Sequence, residues 1–345
     1  MKKNKLDSIP KYCCIALLES CFMHCRMCYK WEKDVNQREP DEPSLEQWKE
    51  FITDFAQMYT QKKPQINFAG GEPLAREETL SLIEFAVNLG FDTLLATNGY
   101  LINEQLAKKI GSIGLKNISI SLDGINKSTH DFLRGVNDGY ERVMQAINLL
   151  HAFAPKVEID IATAISAVNL NEIADIVKWV NRDERINGIG FQAITQPFST
   201  LTEDKWYENP KYSFLWPKDT DMVNKVIDEL IELKFADKER LAPKIKNPSK
   251  QFQMYKNYFQ NPESFIKKEK CHLSQEALNI TPAGEVHICF YKPSIGNIKS
   301  ASIKTLWFSD TADRVREDIK KCRKNCQALV NCNFDADINY DNQER

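Results

Sequence analysis

The sequence lacks any apolar run long enough to cross a bilayer, and it has no excess of charge of either sign. A transmembrane helix needs roughly 18 consecutive apolar residues, whereas the longest stretches here, such as residues 15–18, end at a Glu or Ser within a few positions. The 46 Lys and Arg residues nearly cancel the 48 Asp and Glu residues, which leaves a formal net charge of −2. The sequence therefore excludes a protein with membrane-spanning helices and a globally basic nucleic-acid-binding protein.

A secretory signal is also missing, although the first five residues are rich in lysine. Asp7 and Pro10 follow them, and the next apolar stretch ends at Glu19, which is too short for the apolar segment of a signal peptide. We therefore expect a cytoplasmic protein. With 345 residues, 42% of them hydrophobic, the chain is long enough for about two domains with a sizeable core, and it is not a disordered chain.

Cysteine is absent from a long central stretch. None of the ten cysteines falls within residues 29–270, since five lie within residues 13–28 and five within residues 271–332. Ten cysteines are too few for a disulfide scaffold at this length, and ordinary buried thiols would be scattered. The distribution predicts two separate metal clusters.

The first group contains Cys21, Cys25 and Cys28 in a CxxxCxxC run. A structural zinc site needs four ligands, so three thiolates leave it one short unless His24 or a distant group joins. A 4Fe-4S cluster held by three thiolates instead keeps one iron open for another ligand. The run favours an iron-sulfur cluster, with buried or zinc-binding thiols as the alternative.

This spacing closely resembles that of the radical S-adenosylmethionine (SAM) superfamily. The resemblance implies that the open iron chelates SAM and that SAM is cleaved reductively to a 5′-deoxyadenosyl radical, which abstracts hydrogen from a substrate. It also implies a reducing partner such as a flavodoxin or ferredoxin. Met27 stands where the family usually has an aromatic residue, and Tyr29 follows the third cysteine instead, which we interpret as a packing variation.

Apolar, β-rich runs alternate with amphipathic segments of helical period. The predicted strands are residues 12–20, 65–69, 93–97, 117–122, 157–165 and 188–194, and the predicted helices are residues 45–58, 77–89, 103–110, 140–150 and 171–180. Such alternation predicts parallel βα units. We expect an α/β fold, a partial (β/α)6 barrel of the TIM type followed by a small cysteine-rich extension.

Short motifs follow the predicted strands, where a barrel of this kind gathers its chemistry. Residues 70–73 resemble the family's GGEP motif, whose glycines let backbone approach a ligand and whose backbone contacts the SAM ammonium, while its glutamate more often supports the loop. The resemblance places Ser121 near the SAM carboxylate or ribose and Asn169 near the adenine or ribose; for Arg134 a structural salt bridge is the alternative to clamping a carboxylate. The expected cofactor-binding residues are Gly70, Gly71, Glu72, Pro73, Asn98, Ser121, Asp123, Arg134 and Asn169.

The second cysteine group opens with Cys271, Gly284 and Cys289, whose spacing resembles that of SPASM and Twitch extensions. The residues between the two cysteines predict a β-hairpin with Gly284 in its turn. A full SPASM domain carries seven cysteines for two auxiliary clusters, so the five here imply a Twitch-like domain with one auxiliary 4Fe-4S cluster; a structural zinc is the alternative. The expected metal ligands of the chain are Cys21, Cys25, Cys28, Cys271, Cys289, Cys322, Cys326 and Cys332, with one of the last three spare.

Between barrel and hairpin, residues 234–270 carry ten Lys and Arg against four acids, with aromatic residues interleaved. Such a segment either receives an anionic substrate or forms a helical linker with an aromatic inner stripe. We expect three regions: a core barrel at residues 1–200, this basic and aromatic linker at 201–270, and the auxiliary-cluster domain at 271–345.

Two enzyme functions compete. One is a maturase that modifies a peptide, and the other is a Twitch-type dehydrogenase acting on a sugar, an aminocyclitol or another small anionic molecule. The chain starts about eleven residues before the first strand, so we expect any peptide-recognition domain to be a separate protein. An iron-sulfur electron carrier or a zinc-binding structural protein is a remoter alternative, against which the GGEP motif argues. We expect no membrane partner and no nucleic acid.

Overall fold

The computed structural model describes residues 9–28, 42–196, 205–236, 243–263, 271 and 273–331. The strands in these ranges are β1 (Tyr12–Ala16), β2 (Gln65–Ala69), β3 (Asp92–Thr97), β4 (Asn117–Ser121), β5 (Glu158–Ile165), β6 (Gly188–Ala193), β7 (Ala277–Ile280), β8 (Glu285–His287) and β9 (Gly296–Asn297). The helices are α1 (Leu45–Ala56), α2 (Thr79–Asn88), α3 (Glu104–Ser112), α4 (Lys127–Arg134), α5 (Gly139–Phe153), α6 (Ile173–Arg182), α7 (Thr220–Phe235), α8 (Ser249–Gln260), α9 (Leu273–Glu276), α10 (Ile303–Trp307), α11 (Asp310–Lys320) and α12 (Ala328–Asn331).

Strands β1 to β6 lie side by side in chain order and pair in parallel. Helices connect successive strands, as the strand–helix alternation predicts. The sheet is open rather than closed into a full barrel, so the prediction of a partial barrel is confirmed. Because all six strands run the same way, their carboxyl ends meet at one edge.

Successive side chains of each strand point to opposite faces of the sheet, and along most of the barrel strands their burial alternates accordingly. In β2, for example, Ile66 and Phe68 are fully buried, whereas Asn67 and Ala69 on the opposite face are only partly buried. The fully buried set packs against helices such as α1, which begins at a capping box formed by Ser44 and Gln47. The concave face therefore carries small and polar side chains.

Helix α4, at Lys127–Arg134, was not predicted from the sequence. It lies between β4 and α5 and ends at Gly135, whose φ of 66° is the left-handed conformation that ends many helices. The helix has a mostly polar sequence with few apolar positions, so a search for apolar periodicity passes over it. Its C-terminal end lies against the first cysteine group.

The predicted C-terminal hairpin is present and continues the barrel sheet. Strand β7 pairs in parallel with β1, with Tyr12 opposite Ala277, and β8 turns back antiparallel to β7. Gly284 lies in the turn with a φ of 82°. The sheet order is thus β6-β5-β4-β3-β2-β1-β7-β8-β9.

The other edge of the sheet is covered by part of the linker. The Ile189 amide donates to the Lys244 carbonyl (2.9 Å), and the Lys246 amide donates to the Ile189 carbonyl (2.9 Å). The division into regions 1–200, 201–270 and 271–345 stays a prediction, although linker and extension both hydrogen-bond to barrel strands. No helix in the described ranges combines the length and apolar character needed to cross a membrane.

Candidate active site

The first cysteine group follows β1 at the carboxyl edge of the sheet. Cys25 is buried and Cys21 and Cys28 are half-buried. The pKa of Cys21 is raised to about 12, chiefly by burial and in smaller part by the neighbouring Cys25, Glu72 and Cys28, while a backbone hydrogen bond at Met23 opposes the rise. Burial likewise raises the pKa of Cys25, with Arg134 opposing the shift. Three neighbouring thiols, of which Cys21 and Cys25 have a raised pKa, suit a bound cationic metal centre, which would stabilise thiolates.

The glycines of the GGEP motif hold this cysteine loop against the end of β2. A side chain on Gly71 would place its Cβ 1.7 Å from the Ser20 carbonyl oxygen, and one on Gly70 would place it 2.6 Å from that of Leu18. The Gly71 amide donates to the Leu18 carbonyl at 2.7 Å. We expected the glycines to let backbone approach a ligand; they line the cavity, but what requires glycine is the approach of the chain's own cysteine loop.

The C-terminal end of α4 holds the loop from the other side. The Arg26 amide donates to the Leu133 carbonyl (2.9 Å) and the Arg26 Nε to the Phe132 carbonyl (3.0 Å), so the last carbonyls of the helix gain partners. A Cβ on Gly135 would lie 2.2 Å from the His24 carbonyl oxygen. The cysteine loop is therefore fixed between two segments of the barrel.

Glu72 is buried and joins the loops that follow β2 and β3. Its Oε1 accepts from the Thr97 hydroxyl (2.7 Å) and from the Leu74 amide (3.1 Å), and its Oε2 accepts from the Asn98 amide (2.8 Å). Burial raises the pKa of Glu72, and the three hydrogen bonds oppose that rise. Pro73 opens a short 3-10 turn at Pro73–Ala75. Within the expected cofactor-binding set, Glu72 and Pro73 thus shape the loop.

Arg134 and Asp123 form a buried ion pair beside the cysteine loop. Arg134 Nη2 lies 2.5 Å from Asp123 Oδ2, and Nη1 lies 4.0 Å from Cys25 Sγ. Burial alone would lower the pKa of Arg134, but Asp123 and Cys25 raise it above its usual range. Its Nε is buried without a hydrogen-bond partner among the described residues. Arg134 therefore forms a structural salt bridge and also lines the cavity, while its clamping of a carboxylate stays a prediction.

The side chain of Asn169, which the resemblance places near the adenine or ribose of SAM, is engaged within the protein. Its Oδ1 accepts from the Ser166 amide and hydroxyl, and its Nδ2 donates to the Asp123 and Ala164 carbonyls. All four hydrogen bonds that an asparagine amide commonly makes are used within the protein, and the side chain is fully buried. Asn169 fixes the backbone around Asp123 instead of lining the cavity.

A cavity of about 380 Å³ opens above these residues at the carboxyl edge of the sheet. Cys21, Cys25, Cys28, Gly70, Gly71, Glu72, Asn98, Ser121 and Arg134, all named from the sequence, line it; Pro73, Asp123 and Asn169 do not. The structure thus brings most of the predicted residues to one space.

Sequence reasoning missed the wall formed by β5, β6 and the residues after them. Ala162, Ala164, Gln192, Thr195 and Gln196 line the cavity there. A Cβ on Gly190, which is paired with Ala162, would meet nothing within 4 Å. The alternation of small residues along the concave face of β5 and β6 is a sequence signal that could have identified this wall.

The second cysteine group lies in the C-terminal extension, where Cys271 precedes β7 and Cys289 follows β8. Burial raises the pKa of Cys271, and Cys289 and Cys322 raise it further, so these three thiols are neighbours. Cys322 is exposed and Cys326 is half-buried, while Cys332 lies outside the described residues. Within those residues, no three His, Cys, Asp or Glu side chains converge on one metal ion; a 4Fe-4S cluster does not need such convergence, because each thiolate binds a different iron.

The described part of the basic linker is structural. Tyr255, Tyr258 and Phe252 on α8 are fully buried, as the expectation of an aromatic inner stripe requires. Lys234 Nζ donates to the Asn247 carbonyl (2.8 Å), and Lys244 Nζ donates to the Val180 (2.8 Å) and Asp183 (2.7 Å) carbonyls at the end of α6. These lysines are therefore engaged within the protein. Residues 237–242 and 264–270 lie outside the described part.

Comparisons with known proteins agree with this geometry. Residues 15–180 match the radical SAM superfamily, and residues 271–333 match the SPASM iron-sulfur cluster-binding domain. These domains imply a 4Fe-4S cluster with SAM and an auxiliary iron-sulfur cluster, respectively.

Among curated proteins, the AdoMet-dependent heme synthase of Methanosarcina barkeri is 24% identical over 339 residues, covering 93% of this chain and 88% of that protein. The AdoMet-dependent heme synthase of Oleidesulfovibrio alaskensis is 34% identical over 180 residues, covering 52% of this chain and 45%, under half, of that protein. Among solved structures, Streptococcus suis SuiB bound to its precursor peptide SuiA has a TM-score of 0.67 at 14% identity, covering 94% of this chain and 71% of that one. At that identity the likeness shows the fold alone.

Proposed function

Because this chain is a member of the radical SAM superfamily with a C-terminal SPASM domain, we propose that Cys21, Cys25 and Cys28 hold a 4Fe-4S cluster beside a SAM-binding cavity. Bound there, the cluster and SAM would supply reductive cleavage and a radical that abstracts hydrogen from a substrate. The observation that carries the proposal is that the three thiols, the GGEP loop and Ser121 line one cavity at the carboxyl edge of the sheet.

The chain's own residues have separable tasks in this site. Gly70 and Gly71 let the cysteine loop pack against the end of β2, and Glu72 holds the loops after β2 and β3 together. Arg134 places a positive charge beside Cys25, balanced by Asp123. The Nε of Arg134 has no hydrogen-bond partner among the described residues and is available to donate to an anionic group bound in the cavity.

The test is formation of 5′-deoxyadenosine by anaerobically reconstituted protein supplied with dithionite and SAM. Alanine at Cys21, Cys25 or Cys28 should abolish the product, because losing one thiolate opens or destabilises the cluster. Cys14→Ala is the matched control, since this thiol faces the barrel interior on β1 and is not among the cavity residues. A variant at Cys21, Cys25 or Cys28 that cleaves SAM at the wild-type rate would overturn the ligand assignment.

For the substrate we propose a peptide. On the wall formed by β5 and β6, the exposed Gln192 presents an amide beside the open space at Gly190. A glutamine amide both donates and accepts hydrogen bonds, so it can hydrogen-bond to the backbone amides of a peptide, which also donate and accept. Arg134 is the cation among the described lining residues, and it is engaged by Asp123. That lining suits a neutral substrate better than a small polyanion, and the described lysines of the linker are engaged elsewhere.

Two partners belong to this proposal: a flavodoxin or ferredoxin that supplies the electron, and a separate protein that recognises the peptide. Candidate peptides are those encoded beside the gene. Synthesised with deuterium at the carbons that carry the abstracted hydrogen, the true substrate should transfer deuterium to 5′-deoxyadenosine. If no encoded peptide does so, while SAM cleavage itself proceeds, the peptide assignment is wrong.

A heme precursor is the second candidate substrate, and one observation favours it. The heme synthase relative aligns over 93% of this chain and 88% of its own length, so the likeness includes the linker and extension as well as the barrel. Incubating the holoenzyme with SAM, dithionite and an iron coproporphyrin tests this candidate. Heme detected by its absorption spectrum and by mass spectrometry would replace the peptide with a heme precursor.

A further inference from the structure

Cations surround the thiols of the C-terminal site. We define the basic collar as Lys292, Lys321, Arg323 and Lys324, of which the last three are exposed and flank the exposed Cys322 in the sequence. Lys292 and Lys324 lie close enough to Cys289 to lower its pKa against the effect of burial. In the part of the chain that the structure describes, Lys292, Arg323 and Lys324 form no ion pair with a carboxylate. Three of the four collar cations thus lack a carboxylate partner within the described ranges.

Two large aromatic side chains adjoin the collar. Phe290 and Tyr291 directly follow Cys289 in the sequence, and 43% and 47% of their surfaces are exposed. Lys324 Nζ lies 4.4 Å from the centroid of the Tyr291 ring, which is a cation–π contact. Exposed aromatic residues beside Lys and Arg are typical of surfaces that bind other proteins.

We propose that the basic collar, with Phe290 and Tyr291, is the docking surface for an acidic one-electron carrier protein of the flavodoxin or ferredoxin class. The inference rests on the proposed function, because it requires the C-terminal cysteines to hold an iron-sulfur cluster. With Cys322 at the surface, a partner seated on the collar lies directly against that cluster. Complementary charge speeds encounter with such a partner, and the interfaces of redox pairs are small and transient.

The other explanation for the collar is that its cations only offset the charge of the thiolates. That explanation requires Lys292 and Lys324, which act on Cys289. Lys321 and Arg323 flank the thiol of Cys322, and both are exposed. If they only balanced charge, replacing them would cost iron, whereas docking predicts weaker partner binding with the iron retained. These two residues therefore distinguish docking from charge balance.

The test measures binding of an oxidised acidic flavodoxin to reconstituted holoprotein, with a basic cytochrome c as the probe of opposite charge. We compare Lys321→Glu/Arg323→Glu with Lys109→Glu/Lys156→Glu, which changes the net charge equally. Lys109 and Lys156 are exposed; Lys109 lies on α3, which packs against α5, and Lys156 precedes β5, which four strands separate from β7. The collar variant should weaken flavodoxin binding about tenfold, the control variant should stay within about twofold of wild type, and wild-type binding should weaken with added salt.

Equal affinities for the collar and control variants would overturn the proposal, as would tighter binding of cytochrome c than of flavodoxin. A loss confined to Arg26→Glu, beside the first cysteine group, would also overturn it by placing the carrier there. If the collar variant loses iron, Tyr291→Ser is tested in its place, because it keeps every charge. This variant should weaken flavodoxin binding severalfold. Unchanged binding would refute the docking surface. Cleavage of SAM with dithionite is measured in parallel and should not change in the collar variant, so failed docking is distinguishable from failed SAM chemistry.

Discussion

The two cysteine groups are held in contrasting ways. The thiols of the first lie where the loop after β1 is pressed between the end of β2 and the C-terminal end of α4, at distances only glycine permits. The thiols of the second lie in the C-terminal extension, with Cys322 exposed and cations around it. The first arrangement fixes its thiols beside a cavity, whereas the second brings one thiol, that of Cys322, to the surface. A fixed position in one site and surface access in the other suit radical chemistry and electron exchange, respectively.

Removing one group at a time is the strongest test of this contrast. Replacing Cys21, Cys25 and Cys28 together with alanine should abolish SAM cleavage and leave about four irons per chain, because the second group holds a separate cluster. Iron and zinc analysis after anaerobic reconstitution measures the outcome. A triple variant that holds zinc and no iron would refute the auxiliary cluster, and one that retains about eight irons would refute the count.

The reciprocal control is Cys322→Ala, since Cys322 is a neighbour of Cys271 and Cys289. It should lose the other set of about four irons while keeping the SAM-responsive spectrum of the first cluster. If it keeps all its iron, Cys322 is the spare cysteine of the second group.

The packing around the first cysteine group can be disrupted without replacing a cysteine. Gly71→Ala would bring a Cβ within 1.7 Å of the Ser20 carbonyl oxygen, so the cysteine loop must shift. We expect loss of the first cluster and a fall in SAM cleavage of roughly a hundredfold or more, since misplaced catalytic groups cost about that much. Gly190→Ala is the matched control, because its Cβ meets nothing within 4 Å; equal SAM cleavage by the two variants would show that close packing of the loop is unnecessary.

Breaking the ion pair between Arg134 and the buried Asp123 should be strongly destabilising, because it leaves one charge without its partner. Arg134→Gln leaves the Asp123 carboxylate buried without its cation, which should lower the free energy of unfolding by about 3–5 kcal/mol. Adding Asp123→Asn removes the unpaired charge and should recover most of that loss. Urea denaturation measures both variants, and a single variant as stable as wild type would mean that Asp123 is compensated by another group.

The smallest expected effect is on the pH dependence of stability. Burial and the nearby Arg134 lower the pKa of His130 to about 4, and its neutral Nδ1 accepts from the Asp123 amide. Between pH 6.5 and 4 the unfolded chain binds the proton and the folded chain does not, so stability falls as pH falls. His130 should account for about 2 kcal/mol of the difference between pH 7 and pH 5. In His130→Gln that part of the difference should vanish in urea titrations, and an unchanged slope would refute the assignment.

The sequence predicted the positions of the strands better than it predicted the contacts that individual residues make. Its six barrel strands lie where apolar β-rich runs suggested, because burial on one face leaves a clear periodicity. The pairing of β7 with β1 was not predictable, because the sequence of a parallel strand does not specify which strand it pairs with. Gly71 and Asn169 were named from the sequence as cofactor-binding residues, whereas the structure shows Gly71 against Ser20 and Asn169 hydrogen-bonded to Asp123. Contacts between distant segments depend on the assembled fold, which motif spacing does not encode.

The pairing of Tyr12 with Ala277 has a consequence for the nascent chain. Strand β1 leaves the ribosome before its partner β7, which follows only after the rest of the barrel and the linker, roughly tens of seconds later at ordinary rates of synthesis. Until then, one side of β1 is an unpaired edge, the kind of surface on which other strands aggregate. Folding of this protein is therefore governed by contacts of high sequence separation, and its period of greatest exposure to aggregation comes during translation.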